Sequence, residues 1–201
     1  DKATGVIFGF LRKLKVLSRQ FHTRNFAFCW ESAKSHRRAI SPLYKNKEVK
    51  HISSDADIEL NRLAHGQFDS LRRHVLRDFG FINSYVVTGY EADDLIAAVV
   101  SNVSNQKRYA MTVVSRDEDL YQLLDMCSFY EHVKKKAVTV DGFRSEYGIE
   151  PNQWPVVKAI AGCDGDNVIG LHGVGELTAL RYVRNELSKI KSTDFGLAWL
   201  A

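Results

Sequence analysis

Apolar positions at Val6, Ile7, Phe10, Leu11, Leu14 and Leu17 recur every three to four residues, the spacing that lines up side chains on one face of a helix. The following apolar run, Asn25 to Trp30, is short and aromatic, and predicts a buried strand. From Lys34 to Gln67 the chain turns polar and charged with few core positions, and reads as a mobile surface excursion. Helical periodicity returns over Phe68 to Phe79. A short strand at Ser84 to Thr88, a helix opening at Glu91, a β-branched strand at Met111 to Ser115 and a helix from about Leu120 then alternate. Another strand is expected within Lys134 to Val140, and beyond Pro151 the pattern is helical and punctuated by glycine. Alternation of this kind implies an α/β fold, a mainly parallel twisted sheet flanked by helices. There is no internal repeat or low-complexity tract.

Composition narrows the class. With 201 residues, 45% of them hydrophobic, the chain can bury a core of ordinary size as one domain with a small appended subdomain. Arg12, Lys13 and Lys15 interrupt the stretch Val6 to Leu17, which excludes it as a membrane span or the core of a signal peptide. Cys29, Cys127 and Cys163 are odd in number, widely spaced and without a CxxC pair, so neither a disulfide framework nor a zinc motif is expected. A reduced, cytoplasmic setting follows. The net charge of +4 is compatible with a polyanionic partner without requiring one.

Acidic residues carry the candidate chemistry. Glu91, Asp93 and Asp94 follow a strand and the Gly89-Tyr90 turn, at the strand-end rim where open α/β sheets bind ligands. Acids there also cap a helix and complement its dipole. Asp117 and Asp119 follow the strand Met111 to Ser115 in the same way, and parallel pairing places such strand ends side by side. Asp164 and Asp166 lie in the run Gly-Cys-Asp-Gly-Asp-Asn after the apolar helix Val156 to Ala161, where turn formation alone would also suit them. Seven converging carboxylates would repel unless cations neutralised them. An oxygen-rich donor set favours Mg²⁺ or Mn²⁺ over zinc, and two such ions suit phosphodiester hydrolysis.

Gly170, Gly173 and Gly175 precede an Ala- and Leu-rich helix, so backbone N–H groups could approach a phosphate there and hold a duplex backbone without reading sequence. Packing against protein alone would also explain the glycines. Arg37, Arg38, Tyr44, Lys45, Lys47 and Lys50 mix cations with an aromatic ring inside the polar excursion, a mixture that suits single-strand binding, although a solvated face alone would also explain the charge run. Arg181, Arg184, Lys189 and Lys191 add positive charge at the C-terminal end.

GYEADDLIAAVV, then VVSRDEDLYQLL, then GCDGDNVIGLHGVGELTA, in that order, closely resemble the 5′-3′ exonuclease and flap endonuclease family of bacteria and bacteriophages, which includes the 5′ nuclease domain of bacterial DNA polymerase I. The likeness extends upstream through TGVIFGFLRKL, FAFCWES and RRAISPLYKNK. It implies a PIN-like 5′ nuclease fold over 1–150, with a helical arch at about 34–67, and a helix-three-turn-helix DNA-binding subdomain over 151–201. It implies that Glu91, Asp93, Asp94, Asp117 and Asp119 bind metal, with Glu31, Asp164 and Asp166 completing the set. Lys45 matches an arch lysine that approaches the scissile phosphate, and Arg37 or Arg38 an arch arginine. Tyr44, Lys47, Gly170, Gly173, Val174, Gly175, Thr178 and Arg181 would bind DNA, with K⁺ at the glycine turn.

Several positions depart from the family pattern. Glu31 stands where Asp is usual, and Arg116 where Gly is common. Acids of the final motif are normally separated by two residues, whereas Asp164 and Asp166 are separated by one, so Asp166 is the closer match. The family's first strand, ending in a metal-binding Asp, is expected ahead of TGVIFGF, and Asp1 is not in that context. The expectation is a monomeric, metal-dependent 5′ nuclease of DNA acting in replication or repair, in the cytoplasm of a bacterium or of a phage-infected host, with no membrane partner. The alternatives are a catalytically impaired structure-specific DNA-binding protein and a related single-strand ribonuclease.

Overall fold

The computed structural model describes residues 4–45, 55–106 and 109–187. Lys47, Lys50, Lys189 and Lys191 lie outside them. Helix α1 (Gly5–Gln20) buries Leu14 and Leu17, as its periodicity requires. Its opening residue Thr4 makes no side-chain cap. The free amides of Val6 and Ile7 donate instead to Oε1 of Gln67, at 2.8 and 3.3 Å. Gln67 is buried, and its amide oxygen satisfies a helix end that water cannot fully reach.

That contact explains a correction to the polar excursion. After the short helix α2 (His36–Ile40), helix α3 (Asp55–Ser70) runs through a π-helical turn, Leu71–Val75, into α4 (Leu76–Asp78). The second half of the excursion is therefore helical and continuous with the predicted helix at 68–79. Its inner stripe carries Leu63, Gln67 and Leu71 at four-residue spacing, and the polar Gln67 in an apolar slot hides the periodicity.

Strand β1 (Phe28–Cys29) pairs in parallel with β2 (Ser84–Tyr85). Strand β3 (Thr112–Ser115) pairs in parallel with β4 (Ser128–Glu131), and β4 pairs antiparallel with β5 (Lys136–Val138). Three small sheets thus replace the single expected one among the described residues: these two, with parallel pairing in each and an antiparallel strand ending the second, and a short antiparallel hairpin further along the chain. Sequence reading misses β4 because Phe129, Tyr130 and Glu131 are all buried, so no alternation marks it. The helix expected from about Leu120 is a 3-10 turn over Glu118–Leu123, with Leu120, Tyr121 and Leu123 buried.

One core joins this sheet to helices α5 (Ala92–Ser104), α6 (Val140–Tyr147), α7 (Trp154–Ala161) and α8 (Glu176–Val183). Phe129, Phe143, Trp154 and Val157 are almost wholly enclosed. Trp154 also donates its indole N–H to the carbonyl of Glu118 at 2.8 Å, which anchors the turn that carries Asp119. Between α7 and α8 the chain forms a tight hairpin of β6 (Gly162–Cys163) and β7 (Val168–Ile169). Gly162 has φ +79°, and a Cβ on Gly170 would fall 2.3 Å from the Ala161 carbonyl carbon. Backbones pass too closely there for any side chain.

Truncating the enclosed ring of Trp154 to Ala leaves a large void and an unpaired carbonyl. Trp154→Ala should lower the unfolding free energy by about 3–5 kcal/mol, read from urea unfolding followed by circular dichroism.

Candidate metal centre

The site begins at the turn between β2 and α5. Gly89 has φ +92°, and a Cβ there would meet the His36 ring at 2.1 Å. Only glycine lets the turn close against α2, where its carbonyl accepts from the His36 amide at 2.8 Å and its amide donates to Ser32 Oγ at 3.1 Å. Glu91 caps α5, and Asp94 Oδ2 reciprocally accepts from the Glu91 amide at 2.9 Å. Asp93 Oδ1 accepts from the Asp94 amide. The helix-capping role expected of such acids is therefore real for Glu91 and Asp94.

Capping does not exhaust them. Glu91 is 4% exposed, and its carboxylate accepts from Ser35 Oγ at 2.9 Å, Tyr44 OH at 2.9 Å and Lys45 Nζ at 2.7 Å. Burial opposes its charge, but these three donors outweigh burial and hold its pKa below the ordinary value. Tyr44 is pushed up to about 12 by burial and by its bond to Glu91. Arg37 grips Asp94 with two hydrogen bonds, 2.6 and 3.1 Å, and reaches Glu91 at 3.3 Å and Asp93 at 3.6 Å. Desolvation would lower the Arg37 pKa, yet the surrounding acids raise it.

A second group assembles from the other two motifs. Ligand atoms of Asp119, Cys163 and Asp166 all lie within 4.8 Å of one another. Asp117 caps the 3-10 turn by accepting from the Asp119 amide at 3.0 Å. Burial, then Asp117, Asp166 and Asp93, raise the Asp119 pKa; burial chiefly raises that of Asp93. Asp93 of the first group thus bears on Asp119 of the second, and Lys45 bridges Glu91 and Asp166 across them. Lys45 Nζ stands 3.8 Å from Asp166 Oδ1 while bonded to Glu91, and Lys158 Nζ stands 3.8 Å from Asp119 and 2.9 Å from Glu176. Glu31, at the exit of β1, is held above its usual pKa by burial, within reach of Lys45, Glu91 and Asp93.

Asp164 stands apart from the group of Asp119, Cys163 and Asp166. It is exposed, it lines a cavity of about 460 Å³ together with Gly170, Gly173, Val174 and Gly175, and Cys163 takes its place beside Asp166. Thr178 and Arg181 lie on α8, with Arg181 3.7 Å from Glu186. Arg38 is exposed and only loosely joined to the Lys45 carbonyl at 3.4 Å. Sequence reasoning did not single out Ser35, Lys158 or Cys163. For Cys163 a signal existed, since it stands two residues clear of Asp166, the spacing usual for acids in that motif.

Comparison with known proteins gives concordant results. The family model for the 5′-3′ exonuclease N-terminal, resolvase-like domain matches residues 1–148. The thermostable DNA polymerase I of Thermus thermophilus is 36% identical over 98 residues, 49% of this chain and 12% of that protein. A 5′-3′ exonuclease of Halalkalibacterium halodurans is 30% identical over 180 residues, 87% of this chain and 56% of the relative. The chain thus spans little more than half the length of one relative and about an eighth of the other. A bacteriophage T5 flap endonuclease solved as a pseudo-enzyme-product complex with DNA and metal ions superposes with a TM-score of 0.75 at 21% identity, covering 94% of this chain and 70% of that one. The fold is of this resolvase-like, PIN-like 5′ nuclease type.

Lys45 neutralises a carboxylate that has little access to water. Lys45→Met should lower the stability of the metal-free protein by about 1.5–3 kcal/mol at neutral pH. Because the Glu91 pKa is depressed in the folded state, its stabilising contribution is present above the unfolded carboxylate range and lost as pH falls through the folded value. The stability gap between the two proteins should therefore close on acidification, as measured by urea unfolding across a pH series.

Proposed function

We propose, on the premise that this chain belongs to the 5′-3′ exonuclease N-terminal, resolvase-like domain family, that it is the nuclease portion of a divalent-metal-dependent enzyme hydrolysing phosphodiester bonds at 5′ ends or 5′ flaps of DNA. The observation that carries this reading is that acids from three separate segments are linked: Lys45 bridges Glu91 at the start of α5 and Asp166 in the hairpin after α7, and Asp119 of the turn after β3 stands beside Asp166.

The donor chemistry fits divalent cations. Asp119 and Asp166, with Glu91, Asp93, Asp94, Asp117 and Glu31 along the same rim, would hold them. When bound, such ions acidify an attacking water and offset charge on the phosphate. Mg²⁺ and Mn²⁺ are the natural occupants of the oxygen-rich part of the rim.

The chain's own residues do the positioning. Lys45 presents a mobile ammonium that can leave Glu91 for a phosphate oxygen, and Arg37 offers a planar fork that carboxylate and phosphate both satisfy. Tyr44 lies with its ring 5.4 Å from the Lys45 ammonium, a pairing suited to stacking a base beside a bound phosphate. In this reading the 34–67 segment, including Arg38 and Lys47, is the arch that admits a 5′ single strand. The region 151–201 is a helix-three-turn-helix unit, in which the amides at Gly170, Gly173, Val174 and Gly175, with Thr178 and Arg181, hold the duplex backbone and K⁺ neutralises phosphates. Since Trp154, Val157 and Leu180 share a core with Val113 and Phe129, the division at 150 is one of function within a single hydrophobic unit. No described helix is long and apolar enough to cross a membrane.

A 5′-labelled flap incubated with the intact protein and Mg²⁺ or Mn²⁺ should be cut near the junction, and EDTA should stop the reaction. Lys45→Ala should lower the rate by roughly 10²–10³-fold. Arg181→Ala should weaken binding evenly across sequences and reduce the salt slope by about 1. Tight binding in EDTA with no metal-stimulated cleavage would instead mark a non-catalytic DNA-binding protein, and cleavage restricted to single-stranded RNA a ribonuclease.

A further inference from the structure

We propose that Cys163 is a metal ligand, so that an ion shared by Asp119, Cys163 and Asp166 is held by one sulfur and carboxylate oxygens, a donor set that favours Zn²⁺, Co²⁺ or Cd²⁺ over Mg²⁺. This rests on the reading that the acidic rim holds metal, and it names the ion that part of the rim prefers.

The geometry comes first. The Cys163 thiol sulfur and one oxygen from each of Asp119 and Asp166 lie within 4.8 Å of one another. Around a tetrahedral ion with ordinary metal–sulfur and metal–oxygen bonds, such atoms stand about 3.6 Å apart, so a small inward rotation of the side chains completes the site. The backbone is fixed for the purpose. Gly162 and Cys163 pair with Ile169 and Val168 in the hairpin, and the backbones pass so closely that neither Gly162 nor Gly170 has room for a side chain. Cys163 therefore faces the acids because of strand register, where successive side chains take opposite faces.

The chemistry follows from donor softness. A thiolate is a poor ligand for Mg²⁺, which demands oxygen, and a strong one for zinc-like ions. Coordination exchanges the S–H bond for a sulfur–metal bond and passes one proton to solvent, with no change of oxidation state. Lys45 and Lys158, each 3.8 Å from one of the two carboxylates, balance the added negative charge. The remaining cysteines are placed otherwise. Cys127 donates its thiol to the Leu123 carbonyl, and burial pushes both Cys29 and Cys127 up to about 11. Neither belongs to a metal-binding group among the described residues.

Cobalt or cadmium titrated into the reduced full chain, without DNA, gives the direct test. A thiolate-to-metal charge-transfer absorption should rise and saturate at a single equivalent. It should vanish in Cys163→Ser and persist in Cys29→Ser and Cys127→Ser, with circular dichroism confirming that each variant is folded. Losing this direct ligand should weaken Cd²⁺ binding by at least about tenfold, the lower end of what loss of an outer-shell partner costs, and Cys163→Asp should shift preference toward Mg²⁺. An absorption band that survives Cys163→Ser, or no band in the intact protein at saturating Co²⁺, overturns the assignment. Because the readout needs no DNA, the outcomes separate. Mg²⁺-dependent flap cleavage without the band defeats only the sulfur ligand, whereas the band without cleavage supports the ligand and defeats the nuclease reading.

Discussion

Keeping the Glu91 carboxylate charged while it is almost closed off from water is the constraint around which the rest of the molecule is arranged. A buried charge is tolerated only when hydrogen bonds and an opposite charge replace the lost hydration. Here Ser35, Tyr44 and Lys45 all come from the segment that precedes α3. Satisfying one side chain at the start of α5 therefore draws a distant stretch of chain across the strand ends. The glycine at position 89 lets that stretch approach, and the reciprocal cap with Asp94 fixes the direction from which it must come.

Charge is then distributed in a way that suits both rest and use. Arg37, Lys45 and Lys158 are interleaved with the acids rather than gathered in a patch of their own. Without cations bound, these bases relieve the repulsion that would otherwise splay the rim. On the proposed reading, bound divalent ions would make the same bases redundant as neutralisers, and would leave long, cationic side chains available to a phosphate. On that reading one set of groups would serve both folding stability and substrate positioning.

Much of this was legible in the sequence, for identifiable reasons. Helix α1 announces itself through apolar spacing, and the acids at 91–94 and 117–119 follow strand-like runs closely enough to be placed at a rim. Two things obscured the remainder. A polar residue at an inward position, Gln67, masks the register of α3 because its role is to satisfy the amides of another helix. In the final motif, attention to carboxylates passed over Cys163, although Cys163 lies in the paired strand and its sulfur stands beside Asp119 and Asp166. Pairing of that sort depends on glycine clearances that appear only in three dimensions. Parallel pairing was anticipated in general; the brevity of the strands, the division into separate sheets and the buried β4 beside β3 were not, since enclosure on both faces erases alternation.

The backbone amide of Lys45 donates to the carbonyl of Asp166 at 2.8 Å, and the Asn167 side-chain amide donates to the carbonyl of Leu43, 124 residues away in sequence. These bonds fasten the foot of the excursion to the bend of the hairpin, with Lys45 itself in a left-handed conformation at φ +51°. Each is worth only about 1 kcal/mol net. Such a joint behaves like a snap fastener: firm enough to seat the lysine against its acids, yet weak enough to part at small cost. Because Lys45 and the hairpin share these bonds, the position of the lysine is set by residues more than a hundred positions away in sequence.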